Sequence, residues 1–574
     1  METSPVSADM LPLQRLFHWE RSIPDQVYLS QPMGAGVMRD FTWRQTVDEA
    51  RRLATWLRSF DWEPGSRIAI LSKNCAWWLI TDYAIWMAGH VSVPLYPTIT
   101  AAAVRQILEH SGSRACLVGK LDDWDRMMGG VPPEVTCFGC PLSPPGSFVA
   151  WDEVMRTNPP LAGEPTRAAN DLATIVYTSG TTGQPKGVMH SFGTLAWASA
   201  AASARFPSNA GDRALSYLPL SHIAERLLVE LGSLNGTARI YFPESLATFM
   251  ADLQRARPTR FFSVPRLWLK FQQGVLAKMP QPKLDRMLRL PFVSSIVRRK
   301  ILTGLGLDRC RLAAGGAAPM PPELLTWYAR LGLEIIEAYG MTENAAVSHS
   351  TLPGRPRAGY VGLPYPGVEC RIDPVTGELQ MRSPALMLGY YREPELTRDA
   401  IAEDGWLRTG DQVELAPDGQ LRITGRVKDL FKTSKGKYVV PAPIECKLAM
   451  LPGVEACCVA GASFGRPFGL LTLSLEVLQR TADSEAARAT MSTALQGHLT
   501  RINGTLEPHE RLEFLVVLQD QWTVDNGMVT PTLKFRRDRV ESAYRDRFED
   551  WVAQQKPVVW QAAAQTDRPQ AETA

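Results

Sequence analysis

The chain has 574 residues, 45% of them hydrophobic, with 62 lysines and arginines against 59 aspartates and glutamates and a formal charge of +3. That length predicts at least two packed units with a large core, and the near balance of charge argues against nucleic acid as a partner. Nine cysteines, an odd number scattered along a long chain, read as reduced thiols and not as a disulfide framework.

The first 21 residues carry Glu2, Asp9 and Glu20 and lack both a basic start and an apolar run, so no secretory signal is expected and a cytoplasmic location follows. Helical periodicity marks 43–60 and 101–110, while apolar, β-rich runs at 67–71, 114–118, 172–177, 238–242, 260–264 and 333–338 read as buried strands. The most apolar stretch, 76–96, is long enough to suggest a membrane span. Asp82 and His90 interrupt it and Gly89 and Pro94 divide it, so a buried helix followed by a strand is expected. Cys137 and Cys140 form a C-x-x-C with no second pair, which reads as coincidence and not as a zinc or redox site. From 360 to 423 short strands alternate with turn signals such as Pro417-Asp418-Gly419. After Gly425-Arg426, strands at 455–461, 471–477 and 511–518 with a helix at 484–501 predict a small α+β domain; Cys457 and Cys458 fall in its first strand. The expected fold class is α/β: a large domain, 1–427, with parallel-rich sheets and a small β unit, then a small mobile α+β domain, 428–560, and a disordered polar tail, 561–574.

Directly after the strand expected at 172–177 stands Tyr177-Thr178-Ser179-Gly180-Thr181-Thr182-Gly183-Gln184-Pro185-Lys186-Gly187. Hydroxyls, glycine-exposed backbone N–H groups and a lysine in one loop are the parts that wrap a polyphosphate. The Gly-x-x-x-x-Gly-Lys-Ser/Thr spacing is absent, so P-loop mechanics do not carry over. Tyr339-Gly340-Met341-Thr342-Glu343 follows Glu337-Ala338 at another expected strand end, and its carboxylate suits a hard cation bridging phosphates. Thr409-Gly410-Asp411 precedes Gly425-Arg426 and offers a paired acceptor for two hydroxyls.

In this order the motifs resemble those of the adenylate-forming superfamily, which contains acyl-CoA synthetases, firefly luciferase and peptide-synthetase adenylation domains, and the resemblance spans nearly the whole chain. It implies ATP in the loop 178–187, with Thr178, Ser179, Gly180, Thr181, Thr182, Gly183 and Lys186 around the phosphates. It places Tyr339 against the adenine, Gly316, Glu337 and Ala338 among the nucleotide-binding residues, Thr342 at the α-phosphate, Glu343 with Thr181 at Mg2+, and Asp411 with Arg426 at the ribose. Leu218-Pro219-Leu220-Ser221-His222-Ile223-Ala224-Glu225-Arg226 looks like its form in long-chain acyl-CoA synthetases, with His222 beside the substrate carboxylate. Gly315-Gly316-Ala317-Ala318 resembles the loop lining the acyl pocket, and a tightly packed strand end would use the same small residues.

Near the end, Val524-Asp525-Asn526-Gly527-Met528-Val529-Thr530-Pro531-Thr532-Leu533-Lys534 is similar to the segment carrying the adenylating lysine, matched by Lys534. Arg536 and Arg537 lie in the same basic patch. Lys435-Gly436-Lys437 resembles the loop facing the active site during thioester formation, and Lys428 matches the family's hinge. The resemblance therefore implies a fatty acid–CoA ligase using ATP, Mg2+ and coenzyme A. Its rivals are an acyl-AMP ligase delivering to a carrier protein and a catalytically silent lipid-binding protein. A basic amphipathic stretch, 283–300, suits peripheral contact with the inner face of a membrane, a solvated surface, or a lid over an acyl tunnel.

Overall fold

The computed structural model describes residues 6–179, 185–530 and 534–562. Two compact units are formed, one from Met1–Thr409 with Val413–Ile423, the other from Gly410–Gln412 with Thr424–Ala574.

In the first unit an eight-stranded sheet runs in the order Gly389–Tyr390, Pro185–Ser191, Leu172–Ser179, Val91–Leu95, Arg67–Leu71, Ser113–Val118, Thr136–Gly139, Val149–Ala150. From Leu172–Ser179 onward its pairings are parallel. Near-continuous apolar runs such as Ile68–Leu71 are what parallel strands covered on both faces require, and all four of those residues are buried. The expected division of 76–96 is observed: the helix Ala76–Met87 is buried at all twelve positions and leads into the strand Val91–Leu95. Among the described residues no helix is long and apolar enough to cross a membrane. The helix Trp43–Arg58 begins where a capping box closes, Thr42 Oγ1 accepting from the Gln45 N–H and Gln45 Oε1 from the Thr42 N–H.

A second, five-stranded sheet sets Arg260–Ser263, Leu312–Gly316 and Ile335–Tyr339 parallel, then adds His349–Ser350 and Leu363–Pro364 antiparallel. A third joins Arg213–Leu215, Arg239–Tyr241, Val27–Gly34 and Val37–Thr42. The β unit expected over 360–423 is the sheet of Glu369–Ile372, Glu378–Arg382, Leu407–Leu415 and Leu421–Arg426.

The second unit carries a sheet of Val454–Ala460, Phe468–Leu473, Leu515–Leu518 and Val558–Trp560, flanked by helices that include Pro441–Leu448 and Glu485–Asn503. The strand expected at 471–477 ends at Leu473, because Ser474 caps a new helix, Leu475–Asp483, its Oγ accepting from the Val477 N–H. Cys457 and Cys458 are buried in Val454–Ala460 as expected. Cys137 lies within the strand Thr136–Gly139 of the large sheet and Cys140 just beyond its end; no group of three or more His, Cys, Asp or Glu among the described residues could hold a metal.

Candidate active site

Leu172–Ser179 and Pro185–Ser191 form an antiparallel pair in which Thr178 faces Lys186 and Tyr177 faces Gly187. The loop between them, with Gly180, Thr181, Thr182 and Gly183, lies outside the described residues. Gly187 is fixed by close packing: a Cβ there would sit 2.7 Å from Ile175 Cγ2. Pro185–Ser191 pairs in turn with Gly389–Tyr390, and the Lys186 ammonium lies over the Tyr390 ring, 5.4 Å from its centre.

The motif 339–343 leaves the end of the strand Ile335–Tyr339 and turns through a short 3-10 segment, Thr342–Asn344. Gly340 is required by that turn, since a Cβ would lie 2.4 Å from the Ala346 carbonyl carbon. Two contacts tie the turn to the hairpin. His190 Nε2 donates to the Thr342 carbonyl at 2.7 Å, and the Tyr390 hydroxyl donates to Glu343 Oε1 at 2.9 Å. Burial pushes the His190 imidazole down to about 4, so it is neutral and its Nε2 carries the proton that the Thr342 carbonyl accepts. Burial and the neighbouring Glu343 both raise the Tyr390 phenol, which stays a donor. Lys186, Thr342 and Glu343 are thus brought together by His190 and Tyr390, two residues that sequence reasoning missed.

Tyr339 is half-buried, its ring 6.3 Å from that of His349. Glu337 is buried with Oε1 unpartnered among the described residues, and burial raises its carboxyl to about 7. Gly315 and Gly316 stand opposite Glu337 and Ala338 in the parallel pairing. A Cβ on Gly316 would fall 2.6 Å from the Ala338 carbonyl, so the close-packing reading of these glycines is observed. Ala317, at φ +67°, and Ala318 follow as exposed residues.

His222 caps a helical start, its Nδ1 accepting from the Ala224 N–H at 3.1 Å. The segment is held from three sides. Asn74 donates to the Leu218 carbonyl at 2.6 Å and accepts from the Leu220 N–H at 3.0 Å. Glu225 Oε1 accepts from Ser216 Oγ at 2.9 Å, and burial lifts its carboxyl to about 8. Arg226 is buried between the rings of Trp78 and Trp86 and opens a π-helical turn, Arg226–Leu231. It pairs with Asp82 and with Glu230 at 2.9 Å, and donates to Thr174 Oγ1 at 2.7 Å. Thr174 belongs to the strand Leu172–Ser179, so Arg226 ties this segment to that strand. One guanidinium faces two buried acids, and burial raises both carboxyls, Glu230 well above the ordinary range.

In the second unit Arg426 Nε donates to Asp411 Oδ1 at 3.0 Å, so the two expected ribose contacts also bond each other. Lys428 is exposed in the turn that follows the strand Leu421–Arg426. Lys435, Gly436 and Lys437 form the exposed tip between Phe431–Lys432 and Tyr438–Val439, with Gly436 at φ +73°. Lys534 is exposed, its N–H donating to Thr530 Oγ1 at 3.1 Å; residues 531–533 lie outside the described residues. Arg537 is committed elsewhere, bonded to Glu445 at 2.5 Å and to the Val459 carbonyl at 2.7 Å.

The donor set near Glu343 fits Mg2+, which prefers one or two carboxylates completed by phosphate oxygens and water over an all-protein cage. Glu343 is half-buried, with one oxygen oriented by Tyr390, whose ring lies under the Lys186 ammonium. Thr181 lies outside the described residues.

A parallel-rich α/β unit thus sets a lysine-bearing hairpin and a carboxylate turn against the same side chain, Tyr390. Residues 16–391 match the AMP-binding enzyme family. The chain belongs to that family. It is 29% identical over 575 residues to a peroxisomal long-chain acyl-CoA synthetase of Arabidopsis thaliana, covering 89% of this chain and 82% of the relative. A long-chain-fatty-acid–CoA ligase of Mycobacterium bovis is 29% identical over 581 residues, 93% of this chain and 96% of the relative. A putative fatty-acid–CoA ligase of Mycobacterium tuberculosis is 31% identical over 436 residues, 69% and 76% of the two chains. Among solved structures, the adenylation domain of a carboxylic acid reductase from Segniliparus rugosus, complexed with AMP and a carboxylic acid, superposes with TM-score 0.78 at 23% identity over 96% of this chain and 95% of that one. That likeness concerns the fold.

Proposed function

We propose that the chain is a fatty acid–CoA ligase. The carrying observation is the convergence of Lys186, Thr342 and Glu343 through Tyr390 and His190 in an AMP-binding family member. The acid is assigned from the relatives named above. In the first step the fatty acid carboxylate attacks the α-phosphorus of ATP, the bond to the β,γ-phosphates breaks, and pyrophosphate leaves with the acyl-AMP formed. In the second the coenzyme A thiol, losing its proton, attacks the acyl carbonyl and AMP leaves.

Glu343 with Thr181 would hold Mg2+, which would supply charge neutralisation on the phosphates. Lys186 and the backbone N–H groups of the loop orient the polyphosphate, Thr342 binds the α-phosphate, and His222 sits beside the acid. Tyr339 receives the adenine, with Glu337, Ala338 and Gly316 also at the nucleotide, and Asp411 with Arg426 the ribose. Lys534 neutralises charge in the first step, the loop at Lys435, Gly436 and Lys437 serves the second, and Lys428 is the pivot between them. No covalent enzyme nucleophile is required. Contact with the inner face of a membrane suits a lipid substrate.

A coenzyme A assay across a fatty acid panel tests the reading: acyl-CoA, AMP and pyrophosphate are expected in equal amounts. Acyl-AMP accumulation with no thioester would transfer the chain to the carrier-protein ligases.

A further inference from the structure

The stretch 283–300 folds as two helices, Gln281–Arg289 and Val293–Gly304, joined at Leu290, Pro291 and Phe292. Their inward faces are accounted for: Leu284, Val297 and Ile301 are buried in a core cluster with Trp268 and Phe271. Their outward face is not. Leu290 is 47% exposed, Phe292 87% and Ile296 67%. Phe292 also holds φ at +66°, a backbone conformation that disfavours any side chain larger than glycine's, while its ring stands in water. Six exposed cations, Lys283, Arg286, Arg289, Arg298, Arg299 and Lys300, lie along the same two helices. Asp285, the one acid of the stretch, is engaged by Arg330 at 2.5 Å, so the positive charge is unbalanced.

We propose that this face, with Leu290, Phe292 and Ile296 at its centre, docks on an anionic phospholipid bilayer. A bilayer surface offers what the face lacks: an apolar layer for three large side chains beneath a sheet of negative headgroups for the cations. A second copy of the chain would set arginines against arginines, which like-charge repulsion opposes. Neither helix spans the membrane; both lie in its plane. The docking stands on this surface alone, and delivery of a membrane-dissolved acid to the enzyme rests additionally on the ligase reading.

Sedimentation of the full chain with vesicles tests it. Binding to phosphatidylcholine vesicles containing phosphatidylglycerol is expected, with weak binding to phosphatidylcholine alone and release at high salt. The triple variant Arg286→Gln, Arg298→Gln, Arg299→Gln is expected to bind on the order of a hundredfold more weakly, each cation contributing about fivefold near an anionic surface. Phe292→Ser with Ile296→Ser is expected to lose at least about tenfold, from apolar area no longer buried. Val375→Ser, at a residue 92% exposed outside this stretch, should bind as wild type. No binding by the wild-type chain, or equal binding by all variants, overturns the proposal. So does binding that ignores headgroup charge and salt, or protein that sediments without vesicles and ceases to do so in the double variant Phe292→Ser, Ile296→Ser, which would assign the face to a second copy. Activity on a short, water-soluble acid without vesicles is scored separately, so loss of docking and loss of the ligase reading are distinguished.

Discussion

Glu343 receives its orientation from a residue remote in sequence, since Tyr390 fixes one carboxylate oxygen at 2.9 Å. A carboxylate so placed neutralises a hard cation, and an amide of equal size does not. Glu343→Gln is therefore expected to raise the Mg2+ concentration needed for half-maximal ATP–pyrophosphate exchange by tenfold or so, about 1.4 kcal/mol, with the fold retained. An unchanged Mg2+ titration would remove Glu343 from the metal site. At this scale the sequence was informative wherever a motif is contiguous, as in 339–343. It was silent on His190 and Tyr390. His190 meets Thr342 across 152 residues of sequence, and a lone histidine in a strand carries no spacing signal.

The segment from Ser216 to Leu231 works as a brace. Asn74, Glu225 and Arg226 hold it against two neighbouring elements, and one of these is the strand Leu172–Ser179. Removing Arg226 alone would leave a buried charge unmatched, a loss of about 3–5 kcal/mol for such pairs. Glu225 makes the brace sensitive to pH. Its native carboxyl is raised from 4.5 to about 8, so the folded chain binds a proton that the unfolded chain releases earlier. Its contribution to stability is complete below pH about 4.5 and is lost as the pH rises through about 8. The wild-type chain should therefore lose stability relative to Glu225→Gln over that window, read from urea unfolding at several pH values; parallel curves would show that Glu225 is ionised throughout. Strands and helices with plain periodicity, such as Arg67–Leu71 and Trp43–Arg58, were legible in the sequence. The π-helical turn was not, because it is stabilised by Asp82, which in the sequence served only to break an apolar run. The strand end at Leu473 was also missed, since Ser474 reads as an ordinary polar residue until its cap is seen.

Across the whole molecule, the shift from α/β to α+β patterning foretold a second unit, which gathers Gly410–Gln412 with Thr424–Ala574. On the proposed ligase reading, two half-reactions in one site call for two sets of groups in turn, and a few backbone dihedrals at a hinge would absorb the change. Lys534→Ala is expected to cut adenylation by orders of magnitude while supplied acyl-AMP still yields thioester. Lys428→Pro, which fixes φ and removes a donor, is expected to spare adenylation and abolish thioester formation. If either variant loses both steps equally with its circular dichroism intact, the assignment of that residue fails.

Activation of a fatty acid as its adenylate is the step on which the proposed ligase activity rests. Fatty-acid-dependent exchange of pyrophosphate into ATP measures that step alone, before coenzyme A is needed. With Mg2+ and a panel of acids from short to long chain, exchange is expected for at least one acid and is expected to vanish when the acid or Mg2+ is withheld. Folded protein that gives no exchange with any acid of the panel would contradict the account.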